Sequence, residues 1–85
     1  MKVRLLYFAW VREAIGRDGE DVEPPESVRD VAALIDWLAE RGGGYAEAFA
    51  TPSRLRCAVD QTFAPLETSI AGAHEVAIFP PVTGG

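Results

Sequence analysis

The sequence has 85 residues, of which 48% are apolar and 25% are charged, and its formal net charge is −5. This composition predicts one small, soluble globular domain that folds without metals or disulfides, and the length leaves no room for a second domain. The acidic balance argues against nucleic acid and anionic membranes, which attract basic proteins, and favours a partner with a basic surface.

Cysteine content and hydropathy indicate the cellular compartment of the protein. The single cysteine, Cys57, excludes an internal disulfide, a Cys-based metal site and a redox pair. The apolar runs are far shorter than the roughly 18 residues that a membrane span needs, and the start of the chain lacks the pattern of a signal peptide. We therefore predict a cytoplasmic protein that binds neither metal nor any other cofactor.

The first quarter of the chain predicts two paired strands. Residues 2–11 alternate in the manner of a strand, with one helical turn predicted over 12–16 and ended by Gly16. The short acidic run 20–23 predicts an edge strand hairpinned to the first, and Pro24 and Pro25 stop it.

A single long helix follows. Ser27 is predicted to cap it, with Asp30 in the capping-box position, and apolar residues then recur at three-and-four spacing from Val28 to Ala39. The run Gly42-Gly43-Gly44 is interpreted as a flexible connector that ends the helix.

The remaining half predicts strands on the other side of the helix. Cys57 lies in one of these strands and is predicted to be a small buried residue. The predicted elements are a short helix over 45–50, a strand over 55–60, a turn over 60–62, an irregular segment over 63–66, a loop over 67–73 and a strand over 74–79.

The element order predicts the fold class. Because the first and last strands are both apolar, we place them side by side and parallel at the centre of the sheet, with the long helix across one face. The prediction is an α+β, β-grasp (ubiquitin-like) fold with a mixed sheet of four to five strands. The domain spans residues 1–80, and residues 81–85 form a flexible tail.

The tail is the candidate site. Pro80 and Pro81 favour an extended exit from the last strand. Two glycines then supply a backbone narrow enough for a slot that excludes other residues. The tail-recognition residues are predicted to be Pro80, Pro81, Val82, Thr83 and Gly84, and Gly85 is predicted to carry the chemistry on its carboxylate.

Three stretches of the sequence resemble the small subunit of molybdopterin synthase, a ubiquitin-like sulfur carrier family of molybdenum cofactor biosynthesis. They are Leu6-Tyr7-Phe8-Ala9 with Val11-Arg12-Glu13, the segment 58–62 (AVDQT), and the ending 75–85 (EVAIFPPVTGG). The ending is the specific signal, because a bare terminal Gly-Gly is shared by all ubiquitin-like carriers. Two features depart from the family pattern: Asp60 stands where Asn is common, and Gly42–Gly44 lengthens a connector.

The resemblance implies a function. A ubiquitin-activating-like adenylating enzyme, which uses ATP, would activate the Gly85 carboxylate, and sulfur transfer would make it a thiocarboxylate. The tail would then enter the large subunit of molybdopterin synthase, in a heterotetramer, and donate sulfur to cyclic pyranopterin monophosphate. The chain would be a non-catalytic, sulfur-donating subunit of a transferase complex.

Partner contact is predicted near the end of the last strand. We expect Phe79 and Phe63 in the interface with the large subunit, because both match positions that the family uses for this contact. Arg12 is a candidate for a polar contact in the same interface. The alternative for Phe63 and Phe79 is burial in the core, and the alternative for Arg12 is a solvated surface position.

Three other functions remain open from the residues alone. They are a protein modifier that conjugates to lysine through Gly85, a sulfur carrier for thiamine or thiolated tRNA, and a plain β-grasp binding module. The first two need the same tail and the same activation, so the residue chemistry separates them poorly from the sulfur carrier of molybdopterin synthase.

Overall fold

The chain alternates strands and helices around one sheet. The computed structural model describes residues 2–81. Its elements are β1 (Val3–Tyr7), α1 (Ala9–Ile15), β2 (Gly19–Val22), α2 (Val31–Ala39), α3 (Gly43–Ala48), a 3₁₀ turn (Pro52–Arg54), β3 (Arg56–Val59), β4 (Thr62–Ala64) and β5 (Glu75–Phe79).

The five strands form one mixed sheet in the order β2-β1-β5-β3-β4. The parallel pairing of β1 with β5 is confirmed, with Leu5 opposite Val76 and Tyr7 opposite Ile78. The predicted antiparallel edge strand is also confirmed, because β2 pairs with β1 alone, although α1 lies in the connection between them. The last strand of the sequence therefore occupies the middle of the sheet.

One face of the sheet carries the core. Alternate residues of β1 and β5, such as Leu5, Val76 and Ile78, are fully buried in one cluster with the α2 residues Leu34 and Leu38. Cys57 of β3 belongs to this cluster, as predicted. We call the other side of the sheet the open face. No helix within residues 2–81 is long and apolar enough to cross a membrane.

The first strand is shorter than its apolar pattern suggests. It ends at Tyr7, and residues 9–11, predicted to be strand, are the first turn of α1. The switch occurs at Ala9, whose φ of 53° lies in the left-handed region. Gly16 ends α1 with φ 90°, as predicted, and its N–H bonds to the Arg12 carbonyl.

The cap of the long helix is Asp30 and not Ser27, so that prediction is wrong. The Asp30 carboxylate accepts a hydrogen bond from the Ala33 N–H at 2.8 Å. Residues 27–30 precede the helix as irregular backbone, and Asp30 forms an isolated β-bridge with Ser69. Val28 is buried in this segment, before the helix begins. Asp30 satisfies one of the orphan N–H groups of the first turn.

The triple glycine is a packing site and not a flexible connector. Gly43 and Gly44 begin α3, which packs against α1. A Cβ on Gly44 would overlap the carbonyl oxygen of Ala14, so only glycine allows this approach.

A tight hairpin joins β3 and β4. Its two turn residues, Asp60 and Gln61, both have positive φ, which matches the twist of the flanking strands. The strand β4 includes Phe63 and Ala64, which were predicted to be irregular. The Asp60 carboxylate also accepts hydrogen bonds from the N–H groups of His74 and Glu75, so the hairpin fixes the start of β5.

Candidate functional site

Three aromatic rings line the open face where β5 ends. Phe79 is the central ring, 6.5 Å from Phe8 and 5.7 Å from Phe63, both in edge-on geometry. The sheet order produces this cluster, because β5 lies between β1 and the β3–β4 hairpin. We call Phe8, Phe63 and Phe79 the aromatic cluster.

A row of apolar residues continues from the aromatic cluster across the sheet. Leu6 pairs with Ala77, Ala77 with Ala58, and Ala58 with Phe63. The two alanines in the middle leave the open face shallow, so the phenyl rings project from it. The alanines are themselves buried, and the exposed part of this surface is formed by Phe8 and Phe63. Exposed large apolar side chains grouped on a small domain indicate a protein-binding face.

The structure excludes the core alternative for Phe63. Its side chain is 78% exposed, so the alternative that it is a core residue is wrong. Phe79 is half-buried between its two aromatic neighbours. Arg12 is exposed and lines a cavity with Leu6 and Phe8. The three residues predicted for partner contact therefore border one surface, and their role in binding remains a prediction.

The tail leaves from the same surface. Pro80 and Pro81 follow β5 directly, and Pro81 is exposed. Val82, Thr83, Gly84 and Gly85 lie outside the described residues. The predicted tail therefore starts beside the aromatic cluster.

The sequence did not predict the exposure of two further aromatic residues. Phe8 is 44% exposed and Trp10 is 37% exposed, on either side of Ala9. Both had been assigned to a strand partly covered on both faces. A signal was present, since a tryptophan followed by Val11-Arg12-Glu13 interrupts the strand alternation, but the left-handed Ala9 turn cannot be read from it.

A partly buried carboxylate, that of Glu20, joins side chains at the opposite edge of the sheet. Glu20 accepts hydrogen bonds from the hydroxyls of Tyr7 (2.9 Å) and Tyr45 (2.6 Å) and from the guanidinium of Arg41 (3.0 Å). Burial alone would raise the pKa of Glu20, but the hydrogen bonds from Tyr45, Arg41 and Tyr7 outweigh it and lower the pKa. The same burial, with the Glu20 charge, raises the pKa of Tyr7. This network is structural and lies away from the aromatic cluster.

The Cys57 thiol is an inert neighbour of the aromatic cluster. It is 1% exposed, and its Sγ donates to the Ala64 carbonyl at 3.2 Å. Burial, followed by the charge of Glu67, raises its pKa, which opposes thiolate formation. We therefore assign it no part in sulfur chemistry.

The fold and the exit of β5 beside an apolar face define a ubiquitin-like β-grasp protein, as predicted. Residues 5–85 match the ThiS family. The chain belongs to the ThiS family. The molybdopterin synthase sulfur carrier subunit of Haemophilus influenzae is 37% identical over 83 residues, which cover 98% of this chain and 99% of that protein.

Solved structures share the fold over the whole chain. The Pyrococcus furiosus protein assigned as molybdopterin converting factor, subunit 1, has a TM-score of 0.72 and 26% identity, covering 96% of this chain and 99% of its own. A chain in the Helicobacter pylori complex of subunits 1 and 2 of molybdopterin-converting factor has a TM-score of 0.63 and 21% identity, with full coverage of both chains.

Proposed function

We propose that this chain is the sulfur carrier subunit of molybdopterin synthase. The observation that carries the proposal is the 37% identity with such a subunit along nearly the full length of both chains. The aromatic cluster beside the end of β5 supports it, because a carrier must dock on its partner while its tail reaches into the partner's cleft.

The chemistry belongs to the carboxylate of Gly85. An α-carboxylate is an anion at neutral pH, with a pKa of about 3.3–3.7, and it is therefore a poor electrophile. The adenylating enzyme would join this carboxylate to the α-phosphorus of ATP and release diphosphate. A sulfur nucleophile would then displace AMP and leave a thiocarboxylate, which needs no base to act as a nucleophile at neutral pH.

The partner would be the large subunit of molybdopterin synthase. In that division of labour, the large subunit supplies the pocket, and this chain supplies the sulfur that goes to cyclic pyranopterin monophosphate. The Helicobacter pylori relative occurs in a complex of subunits 1 and 2, which supports a pairing of this kind. ATP would be used by the activating enzyme and not held by this chain.

Co-purification followed by intact mass measurement tests the proposal. The tagged chain should capture the large subunit and, after reaction with the activating enzyme and a sulfur donor, gain the mass of one oxygen replaced by sulfur. A chain without Gly84 and Gly85 is the control, and it should bind but gain no sulfur.

Three outcomes would contradict the proposal. Lysine adducts in cells, without a sulfur-bearing species, would make the chain a protein modifier. A deletion strain with normal molybdoenzyme activity but deficient thiamine or tRNA thiolation would make it a carrier for another product. Full function without the two glycines would leave a plain binding module.

A further inference from the structure

The arginines of this chain fall into two groups. Arg4 pairs with Asp21, and both Arg17 and Arg41 pair with Glu20. Within residues 2–81, no ion pair involves Arg12, Arg29, Arg54 or Arg56. Three of these four, all except Arg29, lie around the end of β5. This end therefore carries a local group of positive charges on a chain whose net charge is −5.

Contacts with the aromatic cluster establish this location. Arg56 is opposite Phe79 in the pairing of β3 with β5, and it lines a cavity with Phe63 and Phe79. Its guanidinium donates to the carbonyls of Leu55 at 2.8 Å and Ser53 at 3.1 Å, which fixes the charge beside the rings. Arg12 lines the cavity next to Phe8, together with Asp18, with which it makes no ion pair.

Trp10 holds the third charge in place. The guanidinium carbon of Arg54 lies 5.6 Å from the centre of the Trp10 ring, within the range of a cation–π contact. Trp10 reaches this position through the left-handed Ala9. Such a conformation is unfavourable for a non-glycine residue, and strain of this kind clusters at functional sites.

We propose that Arg12, Arg54 and Arg56, with Trp10 supporting Arg54, form a cationic rim around the aromatic cluster that recognises carboxylates bordering the tail-accepting cleft of the partner. The inference rests on the proposed function, because the partner is the large subunit. The net charge of the chain favours a partner with a basic surface, whereas the cationic rim predicts an acidic surface on the partner at this one place. Rim charges act mainly on association rate and its salt dependence, whereas the apolar centre carries affinity.

Association kinetics with the large subunit test the rim. We would compare the wild-type chain with Arg54→Ala/Arg56→Ala at ionic strengths of about 0.02 M and about 0.2 M, between which the screening length falls from roughly 20 Å to roughly 7 Å. The double variant should associate about 3- to 10-fold more slowly at low salt and lose most of the salt dependence, because steering is removed.

Two matched variants separate charge from shape. Arg29→Ala removes an exposed, unpaired arginine that lines a cavity with Pro24, Pro25 and Ile70, away from the aromatic cluster, and it should leave the rate unchanged. Arg54→Lys/Arg56→Lys keeps both charges and should keep most of the wild-type rate and its salt dependence. Thermal unfolding of each variant confirms that the fold is retained.

The outcomes are distinguishable. If the wild-type chain binds but the double alanine variant keeps the wild-type association rate and salt dependence, the proposed role of the rim is wrong while the proposed function stands. Faster association of the double variant would indicate a basic partner surface and would also overturn the rim. If the wild-type chain does not bind the large subunit, both proposals fail.

Discussion

The Glu20 carboxylate joins four parts of the chain through single side-chain contacts. Its donors come from β1 (Tyr7), the turn before β2 (Arg17), the turn after α2 (Arg41) and α3 (Tyr45). The Glu20 side chain is only 10% exposed, so the loss of its charge would weaken each of these hydrogen bonds where little water can replace them.

We predict that Glu20→Gln lowers the free energy of unfolding at pH 7 by about 2 kcal/mol, since hydrogen bonds to a charged group are each worth about 1.5–3 kcal/mol. Chemical denaturation measures the change. The matched control is Asp21→Asn, whose ion pair with Arg4 is about half exposed at both ends and should cost less than about 0.5 kcal/mol. Equal losses in the two variants would contradict the assignment.

The pH dependence of this difference has a defined sign. The folded-state pKa of Glu20 is lowered, so its stabilisation is fully present above the unfolded pKa of about 4.3 and is lost as the pH falls through the folded value. The stability gap between the wild-type chain and Glu20→Gln should therefore shrink below about pH 4. A gap that stays constant from pH 7 to pH 3 would show that the charge is not responsible.

At the scale of elements, the contact between α1 and α3 depends on one glycine. We predict that Gly44→Ala destabilises the fold by about 2–3 kcal/mol, because the new methyl group would overlap the Ala14 carbonyl and force the helices apart. The neighbouring Gly43→Ala is the control. Its Cβ meets open space, so it should cost only the backbone strain of its φ of 54°, about 1–2 kcal/mol.

The order of the two losses in thermal or chemical unfolding checks this packing. If Gly43→Ala were the more damaging substitution, the glycine run would act through backbone conformation and not through close approach.

Patterns with a direct physical cause predicted most of the fold. The central pairing of β1 with β5 follows from two apolar runs that each need cover on both sides. The turn at Asp60 follows from a residue type that tolerates positive φ, whereas the positive φ of Gln61 has no such basis in its residue type. The errors arose where tertiary contacts decided the outcome. Val28 is buried before α2 begins, which leaves Asp30 as the cap, and Ala14 lies against Gly44.

Some residues of the candidate site were likewise predictable from the sequence, and others depend on tertiary contacts. Phe63 and Phe79 could be foreseen from the sequence through their position beside a turn and before the prolines. Phe8 and Trp10 could not, because their exposure depends on the left-handed Ala9 that ends β1. The cationic rim is also invisible in the sequence, since it arises from ion pairs that neutralise other arginines.

At the scale of the whole molecule, residues of the open face should contribute to partner binding but little to the stability of the fold. We predict that Phe63→Ala lowers affinity for the large subunit at least about 10-fold, whereas the free energy of unfolding changes by less than about 1.5 kcal/mol, since the side chain is 78% exposed and loses only its contact with Phe79. Titration calorimetry and denaturation measure the two quantities on the same protein.

Thr62→Ala is the matched control, because Thr62 is the adjacent exposed residue of β4 and its side chain points to the other side of the strand. It should leave the affinity unchanged. Unchanged affinity for Phe63→Ala would remove Phe63 from the predicted interface, and a loss of stability well above about 1.5 kcal/mol would show that its contact with Phe79 stabilises the sheet.

The central position of β5 also determines when the protein can fold during its synthesis. A nascent chain that has left the ribosome only as far as β4 holds β1 and β3 with no strand between them, because β5 separates them in the sheet. The buried cluster then lacks Val76 and Ile78 and cannot close. Folding must therefore wait until β5 has emerged. Under the proposed function, an activating enzyme that recognises the folded sheet would thus meet only chains in which β5 has already been synthesised.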